Sequence, residues 1–161
     1  MSAFIAVLAF ACAGNVASNL QQVYCQAVYA WAPYQAHVRQ VKWCSPGECT
    51  GMGGGVFHMD TRVISIDPQW HFKDNELLLT LEHEYGHALG LGHRSGNSIM
   101  KSGWDPPLAT GPTEQDLQEV GRIRREVGMN AVGTPLPSRQ SRSTQQTRAD
   151  WTSANGSSRR Q

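Results

Sequence analysis

The sequence predicts an α+β domain, because three segments with apolar residues at helical spacing are separated by short runs with the β-branched alternation of strands. The chain of 161 residues suits one domain with a tail. We assign residues 18–129 to the folded domain and residues 130–161 to a disordered basic tail. Residues 1–17 are either a signal peptide or the first strand.

The first helix is predicted over residues 18–31, where apolar side chains recur at helical spacing. Ser18 or Asn19 is a suitable N-cap, and Pro33 ends the helix. Strands are expected over residues 37–43 and 62–66, with a flexible glycine-rich stretch between them.

The second helix is predicted to begin after Asp74 or Asn75. Its apolar stripe should pack on the sheet, which leaves its two histidines facing a cleft. A third helix should begin at Thr113, with Asp116 completing the capping pattern, and end near Gly128.

A set of chemically active side chains lies at fixed spacing at the end of the second helix. His83 and His87 are one helical turn apart, so both imidazoles leave the same face and can bind one metal ion. Glu84 lies between them, where it can reach a water in an open coordination position. Gly90 can adopt the positive φ that ends a helix, and the resulting turn returns His93 as a third ligand.

Two interpretations of the N-terminus stay open. Residues 3–13 are apolar and end in Ala-Cys-Ala, a pattern that suits signal-peptide cleavage and secretion. Residues 4–8 also have the composition of a buried strand, which would be retained.

The expected pairing of the four cysteines depends on whether the N-terminus is retained. Cys44 and Cys49 flank a Pro-Gly turn and are expected to form a disulfide in an oxidising compartment. Cys25 would pair with Cys12 only if the N-terminus is retained, and otherwise it is expected to be a buried free thiol.

Charge argues against nucleic-acid binding, and hydropathy argues against a transmembrane span. The net charge is +1, and the sequence has no focused basic stripe of the kind that binds nucleic acid. No apolar run reaches the roughly 20 residues that cross a bilayer, so no transmembrane span is expected. We expect a monomer.

The pattern His-Glu-x-x-His-x-x-Gly-x-x-His over residues 83–93, with Met100 seven residues after the last histidine, resembles the metzincin clan of zinc endopeptidases. Within that clan it is most similar to the matrixins, over about residues 76–127. The resemblance implies a zincin-like catalytic domain in which a small twisted mixed sheet packs on the zinc-binding helix. A C-terminal helix would follow the methionine-containing turn.

The resemblance also implies a chemistry. His83, His87 and His93 would hold one catalytic Zn²⁺, which lowers the pKa of a water molecule towards about 7. Glu84 would be the general base in peptide-bond hydrolysis, and Met100 would form an apolar floor beneath the metal.

The expected substrate is a peptide or protein. By resemblance, Gly55 and Val56 belong to the edge strand that pairs with it, and Trp104 belongs to the wall of the specificity pocket. Matrixins also bind Ca²⁺ and a second Zn²⁺, and residues 58–60 and 71–76 loosely resemble those ligand segments. Since a middle histidine is missing, ordinary roles for His58 and His71 are favoured.

Arg94 departs from the matrixin pattern, which has serine after the third histidine. A non-catalytic binding or structural module that retains zinc is therefore an alternative to an endopeptidase, although a structural site needs no general base such as Glu84. Hydrolysis of a non-protein amide is a third alternative.

Overall fold

The computed structural model describes residue 12 and residues 15–49, 53–70, 72–73, 75–103 and 109–136. These residues form an α+β domain with a mixed sheet of four strands and three helices. The strands are β1 (Asn15–Val16), β2 (Gln40–Trp43), β3 (Gly55–His58) and β4 (Val63–Ile66), and the helices are α1 (Gln21–Ala30), α2 (Glu76–Ala88) and α3 (Glu114–Glu126). The predicted α+β class and mixed sheet are confirmed.

The sheet has the strand order β1-β2-β4-β3. β1 and β2 are parallel, as are β2 and β4, whereas β3 is antiparallel to β4. β3 is therefore an edge strand, with one side of its backbone left unpaired by the sheet.

The core lies between the sheet, α1 and α2. Ile64 and Ile66 of β4 and Leu81 and Tyr85 of α2 are fully buried there. Trp31, at the end of α1, is also fully buried and donates a hydrogen bond from Nε1 to the carbonyl oxygen of Glu82, at 2.9 Å. This contact ties α1 to α2, the helix that carries the histidines.

The predicted helix ends are correct for α2 and α3 and wrong for the start of α1. Neither Ser18 nor Asn19 caps α1, whose N-cap is Leu20 without a side-chain hydrogen bond. The amide oxygen of Asn19 instead accepts a hydrogen bond from the indole of Trp43, at 2.9 Å. The predicted capping box of Thr113 is present at the start of α3.

The loop after β2 is closed by a disulfide between Cys44 and Cys49, as predicted. Glu48 in this loop accepts hydrogen bonds from Lys42 and from the hydroxyl of Ser65, which joins the loop to β2 and β4. The hydrogen bond from Lys42 is the main reason why the pKa of Glu48 falls to about 2. Both remaining cysteines are free thiols, the buried Cys12 and the half-buried Cys25.

The folded region continues past the predicted boundary at residue 129. Residues 129–136 turn back on themselves, with Met129 bridged to Pro135. The side chain of Asn130 accepts hydrogen bonds from the backbone of Val132 and Thr134, and the carbonyl of Ala131 accepts one from Gln35. Residues 130–136 therefore carry local hydrogen bonds. The assignment of residues 130–161 to a disordered tail stays a prediction.

Other predictions about the ends of the chain concern residues that the structure does not describe. The signal peptide or first strand at residues 4–8 and the tail at 137–161 lie outside the described residues. None of the helices in the described part has the length and apolar character needed to cross a membrane.

Candidate metal centre

The three predicted histidines come together at the C-terminal end of α2. His83 and His87 project from one face of the helix, and the helix ends at Ala88. Gly90 then adopts a φ of +100°, a left-handed conformation that favours glycine. The turn brings His93 to the two helical histidines, as the sequence predicts.

The Nε2 atoms of the three imidazoles form a nearly equilateral triangle. The distance is 3.1 Å between His83 and His87, 3.2 Å between His83 and His93, and 3.3 Å between His87 and His93. Three nitrogens that converge in this way form a group that can hold a metal ion.

Backbone carbonyls determine which ring nitrogens carry hydrogen. Nδ1 of His83 lies 2.7 Å from the carbonyl oxygen of Ile99, and Nδ1 of His87 lies 2.8 Å from that of Leu91. A carbonyl can only accept, so each Nδ1 donates and each neutral ring turns a lone pair on Nε2 towards the centre of the triangle. Lone pairs this close repel one another unless a cation lies between them.

Burial keeps the two helical histidines neutral. It lowers the pKa of His83 to about 4 and also lowers the pKa of His87, with the neighbouring histidines contributing in the same direction. Neutral imidazoles are the protonation state that a metal ion requires.

Met100 packs against α2 at Gly86, next to His87 in the chain. Its position beneath a bound metal stays a prediction. Its side chain is fully buried against Gly86, which lies on α2 between His83 and His87. A Cβ added to Gly86 would lie 2.3 Å from the sulfur of Met100 and 2.9 Å from the ring of Trp31. Only glycine at position 86 therefore allows Met100 to pack this closely.

A fully buried carboxylate, that of Asp116 at the start of α3, holds the turn that contains Met100. Asp116 accepts hydrogen bonds from the hydroxyl of Ser98 at 2.6 Å and from the amide of Ile99 at 3.3 Å. The Ser98 hydroxyl in turn accepts from the amide of Met100 at 3.0 Å. The sequence predicts only a capping role for Asp116, because spacing within the helix does not show that its carboxylate also contacts the loop that contains Ser98.

Glu84 lies in the same cleft as the histidines, where it is 6% exposed. Burial raises the pKa of Glu84 to about 7, and a hydrogen bond from the backbone amide of Phe57 acts in the opposite direction. The carboxyl group is therefore poised to exchange a proton near neutral pH.

The cleft has a volume of about 730 Å³ and is bounded by α2, β3 and the turn 98–103. Gly55 and Val56 of β3 line it, as predicted, whereas Trp104 lies outside the described residues. A Cβ on Gly55 would lie 2.9 Å from Thr80 and 3.3 Å from the side chain of Glu84. The edge strand approaches Glu84 this closely because residue 55 has no side chain.

Other titratable groups remain apart from the histidine cluster. His58 on β3 has its Nε2 4.0 Å from Glu48, and it belongs to no metal-binding group among the described residues. His71 lies outside those residues. Glu82 has no signal in the sequence that marks it. One of its buried oxygens has no hydrogen-bond partner among the described residues, and burial raises the pKa of Glu82 to about 7.

No protein-family model matches the chain, and no curated protein matches it.

Proposed function

We propose that this protein is a zinc-dependent endopeptidase of metzincin type. The observation that carries the proposal is the convergence of three imidazole nitrogens in a cleft that also contains the buried carboxyl of Glu84. Three protein ligands leave a coordination position open, which is typical of catalytic rather than structural sites.

The nitrogen spacing supports zinc as the metal. Two nitrogens bound tetrahedrally at the usual zinc–nitrogen length of about 2.0–2.1 Å lie about 3.3–3.4 Å apart. The separations of 3.1–3.3 Å are close to that value. The hydrogen bonds from Nδ1 of His83 to Ile99 and from Nδ1 of His87 to Leu91 fix the orientation of the two rings, as such bonds do for histidines that bind zinc.

Zinc and Glu84 would have different roles in peptide hydrolysis. When bound, zinc supplies a Lewis acid that polarises a carbonyl and makes a water molecule acidic near neutral pH. Glu84 accepts the proton of the attacking water and returns it to the leaving amine. The hydrogen bond from the amide of Phe57 orients the carboxyl, and burial raises its pKa to about 7 without metal.

A peptide is the favoured substrate because the cleft is bounded by an edge strand. Residues of β3 line the cleft, and among the strands that the structure describes β3 pairs with β4 alone. An extended peptide can add to such an edge through main-chain hydrogen bonds. The disulfide between Cys44 and Cys49 supports an extracytoplasmic location.

The proposal is tested with the full chain loaded with one equivalent of Zn²⁺ and an unfolded protein as substrate. We expect cleavage that a chelator abolishes and added zinc restores. Glu84→Gln is the matched control, since it keeps all three metal ligands and removes the base. A Glu84→Gln variant that binds zinc and cleaves as fast as the parent would refute the role of Glu84. A zinc-loaded parent that cleaves no sequence in a diverse peptide library would favour a non-catalytic module.

A further inference from the structure

Arg94, the residue directly after the third histidine, joins the metal-binding loop to two other parts of the molecule. Its backbone amide donates to the carbonyl of Met100 at 2.9 Å. Its guanidinium lies 3.6 Å from Asp116 and donates to the carbonyl of Gln115 at 3.4 Å. Arg94 thus contacts both the turn beneath the metal-binding face and the start of α3.

The contact with Asp116 places a cation beside a fully buried carboxylate. The other described groups that donate to Asp116 are neutral, namely the hydroxyls of Ser98 and Thr113 and the backbone amides of Ile99 and Thr113. A buried charge is costly unless it is both paired and hydrogen-bonded. Arg94 supplies the pairing, and its side chain is only 26% exposed.

The contacts of Arg94 and Asp116 also connect them to His83 and His93. Asp116 fixes the amide of Ile99, and the carbonyl of Ile99 accepts the hydrogen bond from Nδ1 of His83. Arg94 is covalently joined to His93. The ion pair between Arg94 and Asp116 thus connects the chain next to His93 with the carboxylate that holds the orienting partner of His83.

We propose that Arg94 is a positioning residue that fixes the geometry of the metal centre through its ion pair with Asp116. The inference rests on the proposed zinc function. A direct role in binding substrate is not favoured, because Arg94 does not line the cleft although His93 and Lys101 do. The guanidinium points towards α3 instead.

The test compares Arg94→Met with the matched control Arg122→Met. Arg122 is an exposed arginine on α3 that forms ion pairs with Glu119 and Glu126, and none of these three residues lines the cleft. We measure the Zn²⁺ dissociation constant by chelator competition, the visible spectrum of the Co²⁺-loaded protein, and thermal unfolding without metal. Loss of a residue that orients ligands typically weakens metal binding 10–100-fold.

We expect Arg94→Met to raise the Zn²⁺ dissociation constant about tenfold and to alter the Co²⁺ spectrum. Arg122→Met should leave both unchanged, and Arg94→Lys, which keeps the charge, should recover part of the affinity. If Arg94→Met does not fold, Arg94→Gln carries the same test with a hydrogen-bond donor but no charge.

Two results would overturn the inference. One is an Arg94 variant without the charge whose zinc affinity and Co²⁺ spectrum equal those of the parent. The other is an equal loss of zinc affinity in Arg94→Met and Arg122→Met, which would indicate a general effect of charge. Failure of the parent itself to bind zinc would instead refute the proposed function, and with it the inference, so the two failures are distinguishable.

Discussion

Gly86 is the position where a single methyl group should disturb the metal centre most directly. In Gly86→Ala the new Cβ would lie 2.3 Å from the sulfur of Met100 and 2.9 Å from the ring of Trp31. Favourable contacts between such atoms occur at about 3.5–4.0 Å, so Met100 must move by more than about 1 Å. Both neighbours are fully buried, so a shift of either side chain must be accommodated inside the core.

The expected loss of stability follows from two opposing effects. Alanine is about 1 kcal/mol better than glycine inside a helix, which favours the variant. Overpacking in a core costs about 1–3 kcal/mol, and two clashes with fully buried side chains place this site at the upper end. We expect a net loss of about 1–2 kcal/mol in the free energy of unfolding, a fall of roughly 4–8 °C in the thermal midpoint.

The assay is thermal unfolding of the metal-free protein in two backgrounds. Gly92→Ala is the control, since its Cβ would meet nothing within 4 Å. In a Met100→Ala background the two contacts with Met100 disappear, so Gly86→Ala should cost at least about 1 kcal/mol less. The reasoning is refuted if Gly86→Ala is as stable as the parent, or if its cost is the same in both backgrounds.

Two further predictions concern the cleft. Zinc at 100 times its dissociation constant should stabilise the parent by about 2.7 kcal/mol in thermal unfolding, and His87→Ala should lose most of this gain; an equal gain in both would place the metal elsewhere. Gly55→Ala should lower the free energy of unfolding in urea by about 1–2 kcal/mol, because the new Cβ would lie 2.9 Å from Thr80 and 3.0 Å from Ile66. A cost no greater than that of Gly92→Ala would contradict the close packing of β3 on α2.

The sequence was most informative where the structure depends on local spacing. The histidines of α2 could be placed on one face because helical periodicity is determined by the backbone alone. The left-handed Gly90 and the capping box of Thr113 were also predictable, since each depends on residues within one turn. The disulfide between Cys44 and Cys49 was predictable for the same reason, because it closes only a short loop.

The N-cap of α1 was predicted wrongly because a tertiary contact uses the side chain that was expected to cap the helix. Asn19 is of a residue type that favours N-caps, but its amide oxygen accepts a hydrogen bond from Trp43, which lies 24 positions further along the chain. Leu20 is the N-cap instead, without a side-chain hydrogen bond. The tertiary partner outweighed the local preference at this position.

Spacing along the chain was sufficient to identify His83, Glu84, His87 and His93 as a candidate site, because their geometry follows from one helix and one turn. The contacts that hold these side chains in place depended on tertiary structure. Met100 packs on Gly86, Asp116 holds the turn beneath the metal-binding face, and Arg94 pairs with Asp116, although 22 positions separate these two residues. Such contacts depend on how separate elements pack, and no local period in a sequence encodes the distance between two buried side chains.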